Sequence, residues 1–446
     1  MYDLCIYNAR IMDPASGTDM TGAAAVRTGK IAYVGTDKQE AEQMIDAAGA
    51  VLAPGFVDIH AHEDDYSDLT HALLPGQMSR SALKTGVTTI VTGNCGMSSP
   101  DIAAYYKGVA EAELPINCRT LMGNCTLRRL VGLDPYGIAS EEQIEKMCSL
   151  LRKALEEGAV GISFGLQYDP GTCYEEEAAL CRVIKEYDRI ATFHMRWDFP
   201  EKAEETLGEM LALEKDTGVR MQLSHIAANL YGEGVMEYTA RAIEASGGDI
   251  SCDMYPCNAW ATTLQSAVFD DGFENFNFSV EDVEILTGEH AGEYCTPELY
   301  EELRKSPLPV RVACHNAMPM EDVEAAYKLP YCMMGSDGQM RKTPDGHLLG
   351  HPRGAGSPAR ILGEFVREKK LFSLMEGLKK LTILPAERFG LAGKGRIAEG
   401  ADADLVLFDP DTIEDMARFG VDVCGIPPKG IHCVIVKGEV LWQTNA

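Results

Sequence analysis

Short apolar runs of four to eight residues recur through the middle of this chain, separated by longer stretches with helical periodicity. Runs at 51–57, 87–94, 117–122, 160–164, 189–193, 219–224, 249–254, 310–314 and 331–334 read as buried strands. Between them, 140–157, 173–187, 201–217 and 357–369 carry apolar residues at helical spacing. Ser140 followed by Gln143 predicts a capping box at the start of the first of these. Strands alternating with helices predict an α/β chain with parallel strands, and a (β/α)8 TIM-like barrel is the expected architecture. Nine runs compete for eight barrel places, so one is expected outside. Residues 1–50 and the tail runs 403–408 and 431–438 alternate in short bursts instead, as small-sheet strands do. The expected division is therefore 1–54 plus 394–446 as a small β-sandwich and 55–393 as the barrel. Within the barrel, about 263–307 breaks the alternation. It is acidic and rich in aromatics (Phe269, Phe273, Phe276, Phe278), which fits either a lid or a packed decoration.

Chemistry clusters where the strands end. In Asp58-Ile59-His60-Ala61-His62, strand alternation puts His60 and His62 on one side, where two imidazoles can grip one metal. Cys95 follows the 87–94 run, and its neighbours Gly93 and Gly96 predict an exposed turn. His194 and His225 follow two further runs, and Asp337, in Gly335-Ser336-Asp337-Gly338, closes the last. Closing parallel strands into a barrel gathers all these ends on one face. A thiolate with imidazoles suits zinc, and a metal beside a carboxylate can activate water.

Composition narrows the class. The chain has 446 residues, 46% of them hydrophobic, enough for a barrel of about 250 residues and a companion domain. No apolar stretch approaches the roughly 18 residues of a membrane span, and Met1-Tyr2-Asp3-Leu4 lacks the basic start of a secretory signal. A cytoplasmic location is expected. The 14 cysteines then read as reduced thiols, and they form no CxxC pairs. A formal charge of −28 argues against nucleic acid and implies that an anionic small-molecule substrate needs a local basic residue.

APGFVDIHAH at 53–62, GSDG at 335–338 and GRIAEGADADLVLFDP at 395–410 resemble the amidohydrolase superfamily over nearly the whole chain. GNCGMS at 93–98, GAVGISFGLQYDPG at 158–171, HMRWD at 194–198, QLSH at 222–225 and HPRGAGSPAR at 351–360 resemble, within it, the N-acyl-D-amino-acid deacylases (D-aminoacylases). The resemblance implies hydrolysis of the linear amide of an N-acyl-D-amino acid. It implies that Cys95, His194 and His225 hold a tight zinc, that His60 and His62 line a second, weaker metal position, and that Asp337 is the catalytic acid/base. It also implies that Arg353, helped by Tyr255, binds the substrate's α-carboxylate. Alternation points Arg196 away from the metal.

Two places depart from the family pattern. A serine expected after Tyr255-Pro256 is replaced near Ala261 and Thr262, and a lysine two residues beyond His225 is replaced by Ala227. Asn229 and Tyr231 are candidates to replace the lost polar contacts. A wall of Ala227, Ala261 and the insertion's aromatics points to neutral or apolar D-residues rather than D-glutamate. The main alternative is a cyclic-amide hydrolase of the hydantoinase or dihydroorotase type, for which a lysine in the fourth strand would speak; 160–164 has none. A non-catalytic metal-binding barrel would predict lost ligands or a lost Asp337, and all are present.

Overall fold

A computed structural model describes residues 1–63, 76–273, 275–343 and 345–444. Eight parallel strands organise its centre. Phe56–Asp58, Val87–Thr92 and Asn117–Thr120 pair in that order. After a one-residue break, Met122–Gly123 pairs with Gly161–Gly165, and the ladder continues through Ile190–His194, Arg220–Leu223, Ile250–Met254 and Cys332–Met334. Several of these strands are buried at every position, because helices cover one side and neighbouring strands fill the other. The two ends of the series meet beyond the strands. The Asp337 N–H donates to the His60 carbonyl (2.7 Å), and Gly338–Gln339 pair in parallel with Ala61–His62.

The helices form where their periodicity predicts. Glu141–Glu156 buries Met147, Leu151, Ala154 and Leu155 on one face, and its capping box is realised: Gln143 N donates to Ser140 Oγ, and Ser140 N to Gln143 Oε1. Tyr174–Glu186 and Ala203–Thr217 likewise match their predicted stretches. One prediction is shifted. The helix expected over 357–369 starts at Arg353, runs to Arg360, and widens into π-helical turns over Ile361–Glu368. Its first turn is rich in glycine and proline, and so reads as loop. Packing overrides that preference: a Cβ on Gly338 would lie 2.6 Å from the Gly354 Cα, so glycine lets helix and strand touch.

The surplus apolar run is 310–314. Arg311–Cys314 pairs antiparallel with Trp260–Thr263 and Val283–Ile285 in a separate three-stranded sheet. Periodicity alone cannot separate a buried antiparallel strand from a parallel one. This sheet frames the aromatic insertion. Trp260, Phe269, Phe273, Phe276, Phe278 and Tyr300 pack edge and face against one another, so those aromatics make the insertion's own core. Among the described residues no helix is long and apolar enough to cross a membrane.

The chain ends share one eight-stranded sheet. Leu405–Phe408, from the tail, pairs antiparallel with Val51–Pro54, and Val51–Pro54 pairs in turn with Tyr2–Asp13. Leu4, Ile6, Leu52, Leu405, Leu407 and Ile435 fill one cluster drawn from both ends.

A buried polar knot fastens the tail to the third parallel strand. Asp404 accepts from Asn117 Nδ2 (2.9 Å), Lys394 Nζ (2.5 Å) and the Lys437 N–H (2.7 Å). All three named side chains are buried. Asp404→Ala should remove this shared acceptor, leaving Lys394 to Asp402 and Asn117 to the Thr88 carbonyl, which costs about 1–3 kcal/mol. Urea unfolding is expected to show that loss, with Asp404→Asn falling between the variant and the natural protein. An unchanged midpoint in Asp404→Ala would refute the role.

Candidate active site

The polar residues predicted from strand ends do converge. His60 and His62 follow Phe56–Asp58, His194 ends Ile190–His194, and Cys95, His225 and Asp337 lie two or three residues beyond their strands. Cys95, His225 and Asp337 all have positive φ (53°, 34° and 48°), a region rarely occupied by such residues. Their surroundings must hold them there, as is common where geometry serves chemistry. The Cys95 turn forms as Gly93 and Gly96 imply, but it is buried rather than exposed, at 6% accessibility. A side chain on Gly96 or Gly165 would collide with Cys125 or with the Cys95 carbonyl, so both glycines let the turn seat against the fourth strand.

Cys95 is common to two clusters of donor atoms. His60, His62, Cys95 and Asp337 form one, and Cys95, His194 and His225 the other; within each, the atoms lie within 4.8 Å of one another. Cys95 Sγ is 3.3 Å from His60 Nε2 and 3.8 Å from His225 Nε2. Burial opposes ionisation of the thiol, but His60, His194 and His225 outweigh it and hold its pKa well below that of a free cysteine. His60 moves the other way: despite burial, Cys95, Asp337 and Asp253 raise its pKa. Nδ1 of His194 and Nδ1 of His225 are buried without a hydrogen-bond partner among the described residues. Two orphaned imidazole nitrogens beside an ionised thiol match what a zinc ion requires of its ligands.

Other buried groups aim these side chains. Asp253 accepts from the His225 N–H and from Gln222 Nε2 (3.0 Å each), and lies 3.2 Å from His60 Nδ1. His194 Nε2 meets Gln167 Oε1 at 2.8 Å, and Gln167 Nε2 donates to Asp198 (2.7 Å). Burial pushes the Asp198 carboxyl up to about 7. Asp58 accepts from the Ser336 and His60 N–H groups, tying the first and last strand ends together. Gln167, Asp198 and Asp253 were missed as site residues. The signal was present, since Gln167 and Asp253 stand at strand ends and Asp198 follows one. Arg196 points away as expected, onto Glu177 and Glu209.

Asp337 Oδ1 lies 2.9 Å from His62 Nε2, and Oδ2 lies 2.7 Å from Arg353 Nη2. Burial alone would raise its pKa; Arg353, then His60 and His62, outweigh that and keep it ionised well below the usual carboxylate range. Arg353 also donates from Nε to the Asp337 carbonyl, and its guanidinium stacks 4.3 Å over the Tyr255 ring. Arg353 Nη1 and Tyr255 Oη remain buried with no partner among the described residues.

These groups border a cavity of about 280 Å³. Its wall differs from the weakly polar one expected. Ala261 and Asn229 line it, but Ala227 sits in the core and Ala228 takes its place. Tyr231 turns to the Asp198 carbonyl instead of the cavity; the insertion contributes Val268 but none of its four phenylalanines, and the sheet that frames it contributes Trp260 and Arg311. Arg311 and Arg341, unforeseen from sequence, border both this cavity and a narrow recess that reaches Arg353.

Comparison with known proteins places this arrangement. An N-acyl-D-glutamate deacylase of Alcaligenes xylosoxydans xylosoxydans is 32% identical over 98% of this chain and 93% of its own. A D-aminoacylase of the same organism is 30% identical over 100% and 95%. The crystal structure of an N-acyl-D-glutamate deacylase from Bordetella bronchiseptica, complexed with zinc and a phosphonate inhibitor, superposes with a TM-score of 0.86 at 30% identity, covering 99% and 96% of the two chains. An L-hydantoinase from Arthrobacter aurescens shares the fold, with a TM-score of 0.65 at 17% identity. The amidohydrolase family model matches residues 51–441, and this chain belongs to the amidohydrolase family.

Proposed function

We propose that this protein is a zinc-dependent deacylase that hydrolyses the amide of N-acyl-D-amino acids to a carboxylate and a free D-amino acid. One observation carries the reading: Cys95 is shared by two clusters of donor atoms that hold four histidines and Asp337. Cys95, His194 and His225 would hold the tight zinc, with His60 and His62 lining a second, weaker position. When bound, zinc lowers the pKa of water and polarises the acyl carbonyl.

The chain's own groups supply the rest. As the attacking water's oxygen bonds to the acyl carbon, Asp337 accepts the water's proton. As the C–N bond breaks, Asp337 returns that proton to nitrogen, since the amine cannot depart as a bare anion. Arg353 Nη1 and Tyr255 Oη, both buried donors without a partner, suit the α-carboxylate on the departing side. Asp253 and the Gln167–Asp198 pair fix the histidine rings. Gly165 stands where the fourth strand meets the Cys95 backbone, with no room for the lysine side chain of the cyclic-amide reading.

We read the eight parallel strands as a closed (β/α)8 barrel over 55–393. Residues 1–54 and 394–446 form a small β-sandwich, and about 263–307 covers the pocket. The Asp337–His60 backbone bond and the shared terminal sheet support this division. All fourteen cysteines are unpaired, which supports a reducing cytoplasm. The partner is a small molecule; a charge of −28 disfavours nucleic acid.

Metal analysis after dialysis against a weak chelator should find about one zinc per chain. Cys95→Ala and His225→Ala should each lose it, and retention of zinc by both would sink the ligand assignment. Asp337→Asn should keep fold and zinc but lose roughly 10²–10⁴-fold in turnover. A variant keeping more than about a tenth of the rate would remove Asp337 from the proton path. N-acetyl-D-methionine should be cleaved far faster than its L-isomer; equal rates, or preference for an uncharged cyclic amide, would favour the hydantoinase-type reading.

A further inference from the structure

The cavity holds a positive charge that hydrolysis itself does not use. Arg311 opens the strand Arg311–Cys314, in the insertion's antiparallel sheet. Its side chain borders both the main cavity and the recess beside Asp337. Among the described residues its side chain makes one hydrogen bond, a long one of 3.5 Å from Nη1 to Thr263 Oγ1. Among the described residues no carboxylate pairs with it. Burial pulls its pKa down to about 10, and Arg341 and Arg353 push the same way while Tyr168 and Asp337 oppose.

A half-buried guanidinium with no carboxylate partner among the described residues is costly, and an acidic protein has carboxylates to spare for pairing it. Here the cation is kept instead at a surface that a substrate reaches. Arg341, from the strand Gly338–Lys342, borders the same recess, as does Arg353. Arg353 already has a carboxylate in Asp337 and an open Nη1 for the substrate. Arg311 therefore adds a further anion-binding position on the same side of the scissile bond.

Resting on the deacylase reading above, we propose that Arg311, with Arg341 beside it, binds a second carboxylate on the side chain of the D-amino acid. The preferred substrates are then N-acyl derivatives of acidic D-amino acids. The recess argues for the side chain over the acyl group. Arg311 and Arg353 border one small space, and the two carboxylates of an acidic amino acid lie within a few bonds of each other. An acyl-chain carboxylate would lie across the scissile amide from Arg353. Arg311 thus supplies, from the sheet that frames the insertion, a charge that Ala228 and Ala261 in the cavity wall do not.

The test compares kcat/KM of the zinc-loaded enzyme on N-acetyl-D-glutamate, its neutral isostere N-acetyl-D-glutamine, and N-succinyl-D-alanine, which carries the extra carboxylate on the acyl side. The natural protein should favour the glutamate substrate over the glutamine one by about 10- to 100-fold, the range for losing a hydrogen bond to a charged group. Arg311→Gln should bring that ratio near one, chiefly through KM, and Arg311→Lys should keep part of it. A ratio near one in the natural protein, an unchanged ratio in Arg311→Gln, or a preference that collapses on N-succinyl-D-alanine instead would each overturn the assignment. Thermal midpoints with D-glutamate against D-glutamine read the same position without turnover. A larger shift with D-glutamate, lost in Arg311→Gln, upholds Arg311 even if no N-acyl-D-amino acid is cleaved, an outcome that would refute the deacylase reading alone. No difference between the two ligands would count against Arg311 itself.

Discussion

An ionised thiol in a buried turn is the constraint around which the rest of this site is arranged. A thiolate at 6% accessibility is tolerable only when cations or potential cations surround it, and His60, His194 and His225 do so. Their rings come from three different strands. Bringing them to one sulfur requires the strand ends to share a face, the turn to pass through a left-handed cysteine, and glycines to give the turn room. The Cys95 turn, the strand order and the two clusters are therefore not separable features.

Around that sulfur the charges pair by position. Asp337 is held ionised by a guanidinium on one oxygen and an imidazole on the other, and the ionised form is the one that can accept a proton. Asp253 spans two histidines from different strands, and Asp58 spans two strand ends. These buried carboxylates fix ring orientation as much as they carry charge.

Most donors of the centre were legible in the sequence because each ends a short apolar run, and strand periodicity alone predicts which way such residues face. The Arg353 helix was harder to see, since Pro352, Gly354 and Gly356 disguise its first turn as loop and only contact with Gly338 explains it. Arg311 was not legible. It opens a run that reads like a barrel strand, and its significance lies in what is missing around it, a carboxylate partner, which only three-dimensional neighbours reveal. The same limit misplaced Ala227: at helical spacing one residue decides between core and cavity, and Ala228 is the one that faces inward. Asp253 and Gln167 were visible at strand ends, but their partners come from other strands.

The Asp404 knot also sets an order of events for a chain being made. The Asn117 amide is completed by a carboxylate 287 residues later. At the roughly 5–20 residues per second of synthesis, the third strand waits about 15–60 s for that partner to emerge. Throughout that interval a buried-type amide and the apolar strand edge around it face solvent or a chaperone. Nascent molecules of this protein are thus exposed in proportion to ribosome speed, and slowing translation lengthens the window in which their central sheet can pair with the wrong chain.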